Sequence, residues 1–174
     1  MNKLADIPTK PAPQLAPSAD LNREAFFNQM IGTLCGTIED VVGVEDAEAF
    51  IGIVGRQIGN SDLARAETLC GASSAQLADY LQQFKAQIGG EFVVEDVAED
   101  SVTFTNCRCP FGAEAGGRPS LCMMTTNVFG RIAANATGYA RVHVKESLAK
   151  GDNRCLVTVN LSRSEAEDGQ EFFA

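Results

Sequence analysis

The segment YARVHVKESLAKGDNRCLVTVNL, residues 139–161, decides the fold of this chain. Apolar and polar residues alternate on both sides of a connection that contains Gly151 and Asp152. A period of two predicts strands with one buried face, and a Gly-Asp pair is a common turn signal. The segment therefore predicts an antiparallel hairpin, whose inward-facing residues are Val142, Val144, Cys155, Val157, Val159 and Leu161.

Upstream of this hairpin, apolar residues recur at helical spacing, most clearly between Phe27 and Val42. Three helices, a first hairpin and a fourth helix are predicted, with the helices at about 20–43, 46–58, 74–88 and 119–137 and the strands at 91–97 and 101–106. The order predicts an α+β fold, in which N-terminal helices pack on an antiparallel sheet of two hairpins with an intervening helix.

The two ends of the chain differ from this middle part in composition. Residues 1–19 carry four prolines among small polar residues, which favours a disordered arm. Residues 162–174 are rich in Glu and Asp, which favours an acidic, flexible tail. One domain is expected over residues 20–161.

The net charge of −9 disfavours direct binding to nucleic acid or to an anionic membrane. The sequence has no run of 18 apolar residues, so we expect no membrane-spanning helix. Its N-terminus also lacks the apolar core of a signal peptide. We therefore expect the cytoplasm, where thiols stay reduced and clustered cysteines indicate metal or redox chemistry.

Four of the six cysteines form the candidate metal site: Cys107, Cys109, Cys122 and Cys155. Cys107 and Cys109 are two apart beyond a predicted strand, so both sulfurs can lie on one side of extended backbone. Cys122 is near the predicted start of the fourth helix, where the helix dipole favours a thiolate. Cys155 lies on the inward face of the last strand. The four thiols together suit a metal ion or cluster.

Glu146 is a possible additional ligand or a hydrogen-bond partner of one. If Val144 pairs with Val157, Glu146 lies nearly opposite Cys155 and shares the inward face of its strand, where a carboxylate needs a partner. The other two cysteines have plainer interpretations. Cys35 falls on the apolar stripe of the first helix and is expected to be a buried thiol, whereas the role of Cys70 is left open.

The motifs CRCPFG (107–112), LCMMTTNVFGRIAANATGYARV (121–142) and KESLAKGDNRCLVTVNL (145–161) resemble the methanogen output domain family. The GDNRC turn is also similar to 4-vinyl reductase-type small-molecule-binding domains. In that second family, cysteines and a glutamate hold a zinc ion, and Cys122, Glu146 and Cys155 match those positions in order. Those relatives have another cysteine where this chain has Ala149.

These observations give three functional hypotheses. The first is a non-catalytic sensory or regulatory domain whose four cysteines hold an iron–sulfur cluster, either 4Fe–4S or 2Fe–2S. The second is a sensor with a structural zinc and a small-molecule pocket lined by Phe26, Phe27, Met123 and Phe129. The third, an enzyme, is disfavoured because the only histidine, His143, is predicted on a polar strand face and the common catalytic motifs are missing.

The resemblance also implies a signalling partner. The expected partners are a histidine kinase, a response regulator or a transcription regulator, and a homodimer is a further possibility.

Overall fold

The computed structural model describes residues 20–61, 64, 69–163 and 168–174. The predicted arm at 1–19 lies outside these residues. The helices and strands follow in the order α1 (Arg23–Val42), α2 (Val44–Gly59), α3 (Ser74–Gln87), β1 (Phe92–Val97), β2 (Ser101–Asn106), α4 (Cys122–Thr137), β3 (Tyr139–Glu146), β4 (Cys155–Asn160) and β5 (Gln170–Phe173). Short 3₁₀ helices lie at Gly112–Ala115, Pro119–Leu121 and Leu148–Lys150.

All the strands pair antiparallel in one sheet, in the order β1-β2-β4-β3-β5. The two predicted hairpins are both present, and they are joined because β2 pairs with β4. Val144 pairs with Val157 as the alternation indicates. The α+β fold class is confirmed.

Local sequence signals set the helix ends. The Asn22 side chain accepts a 2.9 Å hydrogen bond from the N–H of Ala25 and caps α1. Ser73 and Gln76 form a reciprocal capping box at the start of α3. Gly138, with φ of 92°, ends α4 in the left-handed conformation that favours glycine.

Helix α4 forms the centre of the molecule, between α2 on one side and β3 and β5 on the other. Close packing of α2 on α4 depends on glycine residues of α2. A Cβ atom at Gly55 would lie 2.8 Å from the Cβ of Asn127, and one at Gly59 would lie 2.7 Å from the Cβ of Arg131. The main core lies on the sheet side of α4, where Phe129 contacts the rings of Phe92 and Phe104.

Strand β5 corrects the prediction of a flexible tail from residue 162. Gln170–Phe173 pair with β3 at the edge of the sheet, and Phe172 is only 3% exposed. The ring of Phe172 occupies the space of a missing side chain on α4, since a Cβ at Gly130 would overlap it. The acidic composition concealed the strand because Glu171 pairs with Arg141 at the sheet edge.

Helix α1 also departs from expectation. Its apolar stripe predicts a core-facing helix, yet only Gly32 and Cys35 are buried along its length. Phe26, Phe27, Met30 and Leu34 are 40–55% exposed. The periodicity correctly predicts a helix, but the main core of the described residues lies elsewhere.

Candidate thiol site

Three of the four predicted cysteines line one small cavity beside the main core. Cys109, Cys122 and Cys155 share its wall with apolar side chains from β1, β3, β4 and the β3–β4 connection. The cavity has a volume of about 30 Å³. That is room for one water molecule or one metal ion. We call this the thiol cavity.

The sheet and helix α4 bring these cysteines together from distant positions in sequence. Asn106, the last residue of β2, pairs directly with Cys155, the first residue of β4. The chain leaves β2 and reaches Cys109 three residues later. Cys122 enters from the first turn of α4. The cavity therefore lies where two strand ends meet the start of a helix.

The β3–β4 connection binds two of the sulfurs. The Sγ of Cys122 lies 2.9 Å from the Oγ of Ser147, and the N–H of Leu148 donates to the Sγ of Cys155 at 3.5 Å. Ser147 is held in turn, because its own N–H donates to Asp152 at 2.7 Å. Ala149, the position at which 4-vinyl reductase-type domains have a further cysteine, lines the same cavity and is 5% exposed.

Lys85 is a buried cation beside these thiols. Only 2% of its surface is exposed, and its Nζ donates a 2.9 Å hydrogen bond to Thr125, which lines the cavity. The same Nζ lies 5.3 Å and 5.2 Å from the ring centres of Phe92 and Phe129. Burial lowers the pKa of Lys85 to about 8, and the charges that Cys109, Cys155 and Cys122 carry as thiolates oppose that shift.

Asn106 directs a second polar group toward the cavity. Its Oδ1 accepts a 2.9 Å hydrogen bond from the N–H of Arg108, but its Nδ2 is buried and has no hydrogen-bond partner among the described residues. The residue is 1% exposed and lines the cavity. An unpaired buried donor costs free energy, so its presence favours an acceptor in the cavity.

The environment of the three cavity thiols favours their neutral form. Burial is the main reason that the pKa values of Cys109, Cys122 and Cys155 are all raised. The expectation that a helix dipole lowers the pKa of Cys122 is wrong, because a 3₁₀ helix over Pro119–Leu121 precedes it and burial dominates. A bound cation would favour deprotonation of these thiols.

Glu146 does not lie opposite Cys155 as predicted. The register shifts between Val144 and Glu146, so that Glu146 pairs with Leu156. Its carboxylate accepts two hydrogen bonds from Arg154, at 2.9 Å and 3.2 Å. A β-bulge, which apolar alternation does not reveal, has moved this carboxylate out of the cavity wall.

The other predicted residues lie outside the cavity wall. Cys107 and Cys70 are exposed, and Cys35 is buried in a separate cluster with Ile51 and Leu121. The predicted small-molecule pocket is not formed by its four residues. Phe26 and Phe27 lie on the exposed side of α1, Phe129 is in the core, and Met123 packs against the Cys35 cluster.

Within the described residues, no three His, Cys, Asp or Glu side chains are close enough together to hold a metal ion. Cys109, Cys122 and Cys155 thus share a cavity without forming a closed coordination site. The single histidine, His143, does not line the cavity.

The sequence interpretation missed Lys85 and Asn106, although both leave a signal. Lys85 stands four residues after Leu81, on the apolar stripe of α3, and Asn106 continues the buried alternation of Val102 and Phe104. A polar residue at a position that periodicity predicts to be buried is a candidate for function.

The architecture and the cavity define a class, namely an α+β domain with a small buried cavity lined by cysteines. The model of the family "Methanogen output domain 1" matches residues 30–160, and the chain belongs to this family. The family suggests a sensory or output domain. A comparison with curated proteins found no match.

Among solved structures, the chain is similar to a trafficking protein particle complex subunit 3 from Naegleria fowleri, whose crystal structure shows it covalently bound to palmitic acid. The TM-score is 0.56 at 15% identity, over 83% of this chain and 98% of the other. This likeness extends to the fold alone. In the described part of the chain, every helix is too short or too polar to cross a membrane.

Proposed function

We propose that this chain is a sensory or regulatory domain in which the thiol cavity binds a zinc ion through Cys109, Cys122 and Cys155. The observation that carries the proposal is the placement of three thiols on one cavity, with the buried Lys85 ammonium hydrogen-bonded to Thr125 of the cavity wall. Thiolate sulfur is a preferred ligand of zinc. The thiols must move closer together to bind the ion, because they do not form a closed site in the structure.

The charges balance when the ion is bound. Three thiolates and one divalent ion carry a net charge of −1, and protonated Lys85 contributes +1. A buried ammonium group that donates to a neutral hydroxyl, as Lys85 does, costs free energy, whereas one beside an anionic metal–thiolate group is compensated. The Nδ2 of Asn106 could donate a hydrogen bond to a thiolate sulfur. Groups that hydrogen-bond to metal ligands in this way orient them and raise the metal affinity.

The cavity volume favours a single ion over larger ligands. Pockets for organic small molecules have volumes of roughly 300–1,000 Å³, whereas this cavity has about 30 Å³. A palmitoyl chain, which the Naegleria fowleri protein carries, is therefore not proposed as a ligand. An iron–sulfur cluster needs a fourth cysteine, and Cys107, the nearest in sequence, is exposed.

Metal binding would change the positions of the elements that supply the ligands. Closing the three sulfurs on an ion draws the β2–α4 loop, the start of α4 and the start of β4 together. Three protein ligands leave a fourth position on the ion for water or for a signal molecule. A signalling partner, namely a histidine kinase, response regulator or transcription regulator, would detect this change in structure.

The test is metal analysis of the full chain, purified without oxygen from cells supplied with both zinc and iron. We expect one equivalent of zinc and no visible absorption band. Cys122→Ala and Cys155→Ala lose the metal, whereas Cys70→Ala, at an exposed cysteine outside the cavity, keeps it.

Two outcomes would contradict the zinc proposal. Iron with inorganic sulfide and a broad visible band would establish the iron–sulfur alternative instead. Wild-type protein that takes up neither metal, even after reduction and incubation with zinc, would remove the metal site altogether.

A further inference from the structure

The exposed side of α1 carries a heptad pattern. Six residues are spaced alternately four and three apart, and all six are exposed: Arg23, Phe27, Met30, Leu34, Thr37 and Val41. Residues at this spacing form one continuous line along a helix, which is the arrangement that packs against a second helix in coiled coils. We call this line the α1 seam.

The opposite side of α1 is already used by the rest of the molecule. Cys35 is buried against Ile51 and Leu121, and Gly32 lies against the side chain of Glu114. One side of α1 is therefore packed against the rest of the molecule, and the α1 seam lies on the side that is left exposed. Such a helix has a fixed orientation, so it can present the seam as a rigid surface.

The amount of exposed apolar surface exceeds what scattered residues would give. Phe26 and Phe27 are 53% and 42% exposed, and a Phe side chain presents roughly 150–250 Å². With Met30, Leu34 and Val41 added, the patch reaches the range of about 300–600 Å² that marks the largest and often functional patch of a monomer.

We propose that the α1 seam packs antiparallel against the α1 seam of a second copy of this chain. In this antiparallel register, the midpoint of the seam, near residue 32, lies opposite the same point of the second copy. The numbers of two facing residues therefore add to about 64. Met30 then faces Leu34 of the second copy, and Phe27 faces Thr37. Each contact occurs twice, related by a two-fold axis, as a closed symmetric dimer requires.

Charge complementarity selects the second copy and the antiparallel direction. In this register Arg23 reaches Val41 and the neighbouring Asp40 of the second copy, once at each end of the helix pair. Both residues are exposed on α1, and the guanidinium of Arg23 lies 5.7 Å from the ring centre of Phe27. A parallel pair would instead place Arg23 against Arg23. Antiparallel packing also opposes the two helix dipoles favourably.

This inference is independent of the thiol cavity, and it is tested by sedimentation equilibrium on the full chain with and without zinc. We expect a dimer in both conditions. Leu34→Glu, which places two carboxylates in the seam, shifts the protein to monomer. Val93→Glu is the matched control, because Val93 is 54% exposed on β1, outside the seam, and this variant stays dimeric.

A charge exchange tests the register. Arg23→Glu and Asp40→Arg each weaken the dimer, and the double variant restores it, since the pair is re-formed with opposite polarity. Circular dichroism establishes that each variant keeps its helices. Wild-type protein that is monomeric at every concentration would overturn the proposal, as would a dimer that Leu34→Glu leaves intact or a double variant weaker than both single ones.

Discussion

At the scale of single residues, the burial of the charged Lys85 side chain is the feature that packing alone does not explain. A lysine on the buried stripe of α3 loses its hydration and gains one hydroxyl and two aromatic rings. Cation–π contacts are worth about 2 kcal/mol when desolvated, which is less than the cost of burying the charge. We therefore expect Lys85 to destabilise the protein when no anion lies beside it, and the proposed zinc–thiolate group would supply that anion.

Replacing Lys85 with Met is expected to act in opposite directions on the two states. Metal-free Lys85→Met is more stable than wild type by up to about 3 kcal/mol near pH 7, whereas its zinc affinity falls. The stability gain has a defined pH dependence. Below pH 8, Lys85 is charged in both the folded and the unfolded chain, so the full free-energy cost of burying its charge applies. Between pH 8 and 10.5, Lys85 is protonated only in the unfolded chain. The stability of the wild type therefore rises relative to the variant over this range.

Urea unfolding of both proteins between pH 6 and pH 11, in the presence of a chelator, measures this difference. Lys145→Met, at an exposed lysine on β3, is the control and should change neither stability nor zinc affinity appreciably. A gain that does not shrink above pH 8 would show that the charge of Lys85 is not its cause.

Ala149 offers a gain-of-ligand test of the same cavity. The residue is buried in the cavity wall, so Ala149→Cys adds a fourth thiol beside Cys109, Cys122 and Cys155. We expect at least about tenfold tighter zinc binding, equivalent to about 1.4 kcal/mol. Competition with a chromophoric chelator measures the affinity. Ala149→Ser has nearly the same size without a thiolate, and equal effects of the two variants would show that sulfur ligation is not responsible.

At the scale of elements, β5 shows how a strand can be hidden in a segment of tail-like composition. It is four residues long, and it is stabilised by tertiary contacts at two faces. Phe172 fills the notch that Gly130 leaves in α4, and Glu171 accepts hydrogen bonds from Tyr139 and Arg141. Strand β5 is therefore part of the core rather than an extension of it.

The two adjacent phenylalanines of β5 provide a matched pair of variants. Phe172→Ala should lower the free energy of unfolding by about 3–5 kcal/mol, because it opens a cavity against Gly130. Phe173 is 46% exposed and contacts the Tyr139 ring edge-on, so Phe173→Ala should cost only about 1 kcal/mol. Equal losses in urea unfolding would mean that β5 is not packed as described.

At the scale of the whole molecule, the thiol cavity lies where β2, β4, α4 and the β3–β4 connection meet. An ion bound there stabilises the folded chain as a unit, because the unfolded chain does not hold the three sulfurs together. The α1 seam lies on the other side of the Cys35 cluster, which packs α1 against Leu121, the neighbour of Cys122. Leu121 also lines the thiol cavity, so this residue connects the cavity to the cluster that packs against the buried side of α1.

Zinc should therefore raise the stability of the whole fold. At a free zinc concentration about 100 times the dissociation constant, the expected gain is about 2.7 kcal/mol, and a chelator removes it. Thermal unfolding with and without zinc measures the shift. The shift should vanish in Cys155→Ala and persist in Cys70→Ala, and a shift of the same size in both would indicate unspecific binding.

Much of this protein can be inferred from its sequence, because the signals are local. Periodicity and turn residues predict all four helices and the strands β1 to β4, since a period of 3.6 or 2 reflects which side of an element is buried. The motifs near Cys122 and Cys155 also led to the correct family.

Only the tertiary structure decided which residues share a site. Long-range pairing placed Asn106 and Lys85 beside Cys109, Cys122 and Cys155, a bulge turned Glu146 toward Arg154, and Cys107 was left exposed. The apolar stripe of α1 shows the same limit, since periodicity predicts which side is apolar but not what covers it. Contacts between residues far apart in sequence depend on register and packing, which no single stretch of the chain encodes.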